Sequence, residues 1–273
     1  GVVVNNHEKY EGRVLEDPFI SSAINYLSDE IENAGYFMML KKAKEIMDAV
    51  RFSSMWNLDG LIIIGFCENE YKNLRDHIRI PFVVYDGFMK EQGRISNVTI
   101  DDFDGGRQVG EYLKKNGHKK VLCISDNNVC MDLDRFNGLN RGLGKDADFL
   151  MIPMSREKRQ LFYQKNLEKI KKYTAIFAVS DYYAIDIMVF LKSCGISVPE
   201  DISVVGFDGS SDCQRVVPVL TSVYQNNELR AKMAMELLLK MLQDSSFSQS
   251  VCVPVKLVWG ESVRNLCESG GEK

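Results

Sequence analysis

Short apolar segments of strand length alternate with amphipathic segments of helical length along nearly all of the 273 residues. The apolar run at residues 61–66 is long enough for a buried strand. In residues 18–34, apolar side chains recur at steps of four and three residues, which predicts a helix with one apolar face. Strand–helix alternation of this kind predicts parallel sheets with right-handed crossovers.

The number of predicted strands exceeds what one small sheet usually carries. We therefore expect an α/β fold with two doubly wound lobes. A helix that includes Ala43 is expected to follow the second strand, and another at 134–143 is expected to start beside Arg135. The predicted strands are residues 2–4, 36–40, 61–66, 82–85, 98–100, 121–125, 149–152, 175–179, 202–207, 221–224 and 251–258.

Composition excludes several classes of protein. The 34 Lys and Arg residues against 38 Asp and Glu residues give a net charge of −4, which argues against nucleic-acid binding by this chain alone. No run reaches the length of a membrane span. The seven cysteines show no Cys-x-x-Cys spacing, which favours reduced thiols in a cytoplasmic protein over a zinc site or a disulfide framework.

Polar side chains follow several of the predicted strands, where α/β sheets bind their ligands. Asp86, Asn127, Ser180 and Asp208 stand at such positions, and Arg135 follows soon after one of them. Carboxylates, amides and a forked cation suit a hydroxyl-rich ligand such as a sugar. The alternative is helix capping, which we favour for Asp181, or a surface ion pair, which stays open for Arg135.

An enzyme is not expected. The three histidines have no partner at a spacing typical of a metal site or a catalytic triad, and no glycine-rich phosphate loop appears. The acidic group of Asp101, Asp102 and Asp104 is better explained by a helix cap than by paired catalytic carboxylates. We expect no catalytic residues, no metal and no cofactor.

Several ordered segments resemble the transcription regulators of the lactose-repressor (LacI/GalR) family. The most specific is GISVPEDISVVGFD, which is close to the family pattern in both order and spacing. The resemblance covers nearly the whole chain and is strongest from about residue 100 to residue 225. The segments that carry it are DFDGG (102–106), GHKKV (117–121), RFNGL (135–139), TAIFAVSD (174–181), GISVPEDISVVGFD (195–208) and PVLTSV (218–223).

The resemblance implies an effector-binding domain of the type I periplasmic-binding-protein-like fold, with three crossovers between its lobes. The N-terminal lobe would comprise residues 1–101 plus 225–253, and the C-terminal lobe residues 102–224 plus 254–273. A small effector, expected to be a carbohydrate, would bind in the cleft between the lobes. The domain would form a homodimer, and a helix-turn-helix headpiece absent from this sequence would bind operator DNA.

The same resemblance implies ligand contacts for particular residues. Arg135 would be the cleft arginine that forks onto the ligand, and Asp208 an acceptor opposite it. Ser180 stands where the family usually has Asn, and residues 153–156 offer no stacking ring, so a standard hexopyranose is in doubt. The expected ligand-binding residues are Phe19, Asp86, Asn127, Arg135, Ser180, Asp208 and Gln225.

One alternative shares the fold and the ligand class. A secreted sugar-binding protein that serves an ABC transporter would also have two such lobes. The cysteines fit poorly with an oxidising compartment, and the VPEDIS segment favours the regulator.

Overall fold

The structure is a computed structural model that describes residues 1–6, 8–66, 74–87 and 95–267. The chain divides into two compact units, each assembled from segments that are distant in sequence. The first unit comprises Gly1–Ile100 and Asn226–Pro254, and the second comprises Asp101–Gln225 and Val255–Lys273. The chain therefore passes from one unit to the other three times.

The first unit is built on a six-stranded parallel sheet. Its strand order is β11-β5-β4-β3-β1-β2, so the first strand lies inside the sheet and the second lies at its edge. This order is doubly wound, and it puts the switch in strand order between the first and third strands. The strands are β1 (Val2–Asn5), β2 (Leu40–Ala43), β3 (Leu61–Ile64), β4 (Phe82–Tyr85), β5 (Ser96–Ile100) and β11 (Ser250–Val253).

The second unit has the same strand order, but one of its edge strands runs in the opposite direction. Its order is β12-β10-β9-β8-β6-β7, and all pairs are parallel except β10 with β12, which is antiparallel. The expected fold class of two doubly wound, mostly parallel sheets is confirmed. The strands are β6 (Val121–Ser125), β7 (Asp148–Met151), β8 (Ala175–Ala178), β9 (Ser203–Asp208), β10 (Thr221–Tyr224) and β12 (Lys256–Val258).

Helices connect the strands of each unit. Within the described residues, no helix combines the length and the apolarity needed to cross a lipid bilayer. The helices are α1 (Pro18–Asn33), α2 (Met47–Met55), α3 (Leu74–His77), α4 (Asp102–Lys115), α5 (Cys130–Leu143), α6 (Arg156–Ile170), α7 (Asp181–Ser193) and α8 (Asn227–Gln243).

Two predicted strands were placed wrongly. The strand expected at 36–40 begins only at Leu40, because β1 pairs in register with Leu40–Ala43 and leaves Phe37 exposed. Ala43 therefore ends a strand rather than belonging to the next helix. The single strand expected at 251–258 is two strands in two sheets, and Pro254, which has no N–H for a ladder bond, lies between them.

Helices α4 and α5 approach each other so closely that only glycine fits at the contact. A Cβ on Gly138 would overlap the carbonyl oxygen of Phe103, and one on Gly142 would overlap that of Arg107. On the facing helix, Gly106 and Gly110 are blocked in the same way by backbone atoms of α5. The four glycines lie four residues apart in each helix, so they form one contact face on each.

We predict that G138A destabilises the protein by about 2 kcal/mol. The added methyl gains helix propensity, but it must push a backbone carbonyl aside, and overpacking of this kind costs more than the gain. Urea denaturation measures the free energy of unfolding. N137A, at an exposed neighbouring position of α5, is the control and should change it by less than about 0.5 kcal/mol. Equal stability of G138A and the wild type would contradict the close contact.

Candidate functional site

In the second unit, four of the predicted ligand-binding residues lie at the carboxyl edge of one sheet. Asp208 is the last residue of β9, and Gln225 directly follows β10. Asn127 and Ser180 each come two residues after the end of a strand, β6 and β8 respectively. These strands are consecutive in the sheet, in the order β10-β9-β8-β6. Because β6 and β8 flank the switch in strand order, this edge is where such sheets bind ligands.

Arg135 lies in the middle of α5 and not at its start, because the helix begins at Cys130. Its side chain is buried, and Nε donates to Asp102 Oδ1 at 2.7 Å. Nη1 donates to the carbonyl of Val179 at 2.6 Å, and the guanidinium carbon lies 3.8 Å from the centre of the Phe207 ring. The surface ion pair considered from the sequence is therefore wrong. Arg135 forms a buried ion pair whose head group lies beside the end of β8.

Asp208 has a backbone conformation that side chains rarely adopt, with φ of +125°. Its Oδ1 accepts from Gln225 Nε2 at 2.8 Å, and its Oδ2 accepts from the backbone N–H of Asp181 at 3.3 Å. The N–H of Gln225 also donates to the carbonyl of Asp208 at 3.2 Å. The structure thus joins two of the predicted residues directly. Strained backbone at the edge of a sheet is typical of functional sites.

The sequence favoured Asp181 as the cap of α7, but the structure shows that Ser180 is the cap. Ser180 Oγ accepts from the N–H of Tyr183 at 3.4 Å. Asp181 is buried and accepts from the N–H of Ser210 at 2.7 Å and from Ser222 Oγ at 2.6 Å. The thiol of Cys213 also donates to it at 3.0 Å. Asp181 therefore anchors the loop that follows β9, and its burial raises its pKa to about 6.

Asn127 orders the turn that leads from β6 into α5. Its Nδ2 donates to Asp132 Oδ2 at 2.8 Å, and its Oδ1 accepts from the N–H of Val129 at 3.1 Å. Ser125 Oγ donates to the same Asp132 oxygen at 2.7 Å. These bonds explain why α5 begins earlier than the sequence predicted.

In the first unit, Asp86 and Phe19 are brought together by Arg230, which the sequence analysis missed. Arg230 is fully buried in α8, and its Nη2 donates to Asp86 Oδ1 at 2.6 Å. Its guanidinium carbon lies 4.5 Å from the centre of the Tyr85 ring and 5.7 Å from that of Phe19. Asp86 follows β4 directly and has a φ of +61°. Arg230 lies four residues before Ala234, on the same buried face of α8. This spacing was the feature of the sequence that could have indicated the contact.

Asn227 links the same group of residues to α1. It accepts from the hydroxyl of Tyr85 at 3.1 Å, and its Nδ2 donates to the carbonyl of Phe19 at 3.2 Å. The Tyr85 hydroxyl is protonated and a donor at neutral pH, and burial raises its pKa further, to about 12. The first unit thus holds a carboxylate and a ring in fixed positions at the end of β4.

Residues 111–263 match the family model described as a periplasmic binding protein-like domain. The chain belongs to this family. The predicted resemblance to the effector-binding domain of lactose-repressor-type regulators is confirmed, because similar proteins are themselves regulators.

Two curated relatives are transcription regulators. The chain is 28% identical over 250 residues to the HTH-type transcriptional repressor PurR of Vibrio atlanticus. This alignment covers 85% of this chain and 73% of that protein. The chain is 28% identical over 285 residues to the HTH-type transcriptional regulator MalR of Clostridium butyricum, covering 97% and 85% respectively. The transport-protein alternative is therefore not favoured.

A solved structure shows the same fold. The LacI family transcriptional regulator from Enterococcus faecium with bound ribose superposes with a TM-score of 0.82 at 23% identity. The match covers 97% of this chain and 99% of that one.

We predict that D181N changes how stability depends on pH. Between pH 3.8 and about pH 6, the raised pKa means that the folded protein keeps a proton on Asp181 that the unfolded protein releases. The stability of the wild type relative to D181N should therefore fall as pH rises through this range. Urea denaturation at several pH values measures it, with D212N, in the same loop, as the control. A difference between wild type and D181N that is constant across this range would contradict the assignment.

Proposed function

We propose that this effector domain binds a sugar at the carboxyl edge of the sheet in its second unit. The observation that carries the proposal is the fixed group at the edge of the second unit. There, the buried Arg135 lies beside the end of β8, and the Asp208 carboxylate is held by Gln225. Forked donors and carboxylate acceptors in fixed positions are what neighbouring sugar hydroxyls require.

A similar solved structure supports a sugar in particular. The structurally similar regulator from Enterococcus faecium carries ribose. Asn127 and Ser180 would add polar contacts from the same edge of the second unit. Contributions by Phe19 and Asp86 of the first unit to the same effector stay a prediction.

We propose that sugar binding controls operator DNA binding in a homodimeric, cytoplasmic regulator. The curated relatives are HTH-type regulators, and they are longer than this chain. None of the six cysteines that the structure describes forms a disulfide, which fits a reducing compartment. A ligand shifts a conformational equilibrium only by its difference in affinity for the two states, and operator DNA must alter sugar affinity by the same factor. The domain would bind its ligand without converting it.

Arg135 is best tested with a variant that keeps its charge. R135A would leave Asp102 as a buried charge without its partner, and losses of that kind cost about 3–5 kcal/mol. A loss of binding could then reflect unfolding. R135K keeps a cation beside Asp102 but removes the forked geometry that a sugar diol or a carboxylate needs.

The experiment is a thermal-shift screen of monosaccharides, disaccharides, sugar phosphates and nucleobases, followed by calorimetry. We expect a sugar to raise the melting temperature, because a ligand that binds only folded protein stabilises it by mass action. R135K should weaken the affinity for that sugar about tenfold or more, as expected for a lost charge-assisted contact. R141K, at an exposed position of the same helix, is the matched control and should bind like the wild type.

Two results would contradict the proposal. A phosphate or nucleobase that binds when no sugar does would overturn the sugar assignment. A sugar that binds R135K as tightly as the wild type would remove Arg135 from the site.

A further inference from the structure

A second buried ion pair in the second unit has no part in the site described so far. Arg159 in α6 is fully buried, and its Nε donates to Asp186 Oδ2 in α7 at 2.6 Å. Gln160 Nε2 donates to the other Asp186 oxygen at 3.0 Å. The pair joins α6, which precedes β8 in the chain, to α7, which follows it. It also neutralises both charges, as burial requires.

The rest of the Arg159 head group reaches the carboxyl edge of the sheet. Its Nη1 donates to the carbonyl oxygens of Pro153 at 3.2 Å and Met154 at 2.6 Å. These two residues follow β7, and the N–H of Ile152 just before them donates to the carbonyl of Ser125 at the end of β6. Arg159 thus ties the loop after β7 to the body of the unit.

Tyr182 is held by the same guanidinium. Arg159 Nη2 donates to the Tyr182 hydroxyl oxygen at 3.4 Å, and the guanidinium carbon lies 5.2 Å from the centre of the ring. The neighbouring ring of Tyr183 meets it edge to face at 5.4 Å. Tyr183 is buried, whereas Tyr182 is only partly buried. Tyr182 is therefore a fixed ring with accessible surface, two residues after Ser180.

We propose that Tyr182 is a specificity-determining residue of the effector site and that the Arg159–Asp186 pair positions it. This inference rests on the proposed function and deepens it. A sugar presents an apolar C–H face as well as hydroxyls, and an aromatic ring is the side chain that matches such a face. Residues 153–156, in the loop after β7, contain no ring. Tyr182, in the first turn of α7 and linked to that loop through Arg159, supplies one.

A purely structural role for the network makes a different prediction. If Tyr182 only stabilises the fold, its replacement lowers the melting temperature and leaves sugar affinity unchanged. If it contacts the sugar, affinity falls even where the melting temperature without sugar is maintained. Measuring both quantities on the same variants separates the two roles.

The test is calorimetry of the whole chain with D-ribose and maltose as probes, one monosaccharide and one disaccharide. For the sugar that binds, we expect Y182L to weaken affinity about tenfold, as for loss of one aromatic contact. Y182F keeps the ring and should stay within about threefold of the wild type. Y173F removes a hydroxyl that donates to Asp148 at the amino end of β7, and it should have no effect on affinity.

The positioning role of Arg159 is tested by coupling. R159K keeps the charge beside Asp186 but loses the additional donors that fix Tyr182 and the loop. It should weaken affinity about threefold in the wild type and have a smaller effect when combined with Y182L, because the ring that it positions is then gone. Equal effects in both backgrounds would overturn the positioning role.

The remaining outcomes separate this inference from the proposed function. If the wild type binds a sugar and Y182L binds it equally well, the inference fails and the proposed function stands. If the wild type binds neither probe nor any other sugar of the thermal-shift screen, the proposed function fails and takes this inference with it.

Discussion

A guanidinium removed from water must be matched by an acid, and this requirement fixes the geometry at the strand ends of both units. Three arginines are buried among the described residues, and each is paired with an aspartate on another element. Because an unmatched partner costs several kcal/mol, each pair locks two elements together. Arg135, Arg159 and Arg230 all place their head groups beside residues that follow a strand. The charges that stabilise each unit are therefore the same ones that position its polar edge.

The pair of Arg135 with Asp102 depends in turn on the glycines of α4 and α5. Two helices carrying side chains at the contact stand 8–10 Å apart as a rule, and glycine allows a closer approach. The carbonyl oxygens of Phe103 and Arg107 occupy the space that a Cβ on Gly138 or Gly142 would need. This contact brings the first turn of α4, with Asp102, within reach of Arg135 at 2.7 Å. Backbone packing, side-chain charge and the edge of the sheet are thus one connected arrangement.

The fold was predictable because its signals are local, whereas much of the candidate site was not. The hydrophobic periods of strands and helices can be read from neighbouring residues, so the order of elements and the α/β class could be predicted from the sequence. The error at residues 36–40 arose because register with β1 decides where that strand starts. Arg230 was missed because its partner Asp86 lies 144 residues away along the chain. Asp181 looked like a helix cap, since its true partners, Ser210, Cys213 and Ser222, are far from it in sequence.

We propose that the effector binds at the carboxyl edge of the second unit, beside the buried Arg135. The most direct measurement is a crystal structure of this chain grown with the sugar that raises its melting temperature most. We expect sugar hydroxyls within hydrogen-bonding distance of Arg135 and of the Asp208 carboxylate, which Gln225 holds. Density for the sugar at the opposite, amino-terminal ends of the strands, or no contact with either residue, would contradict it.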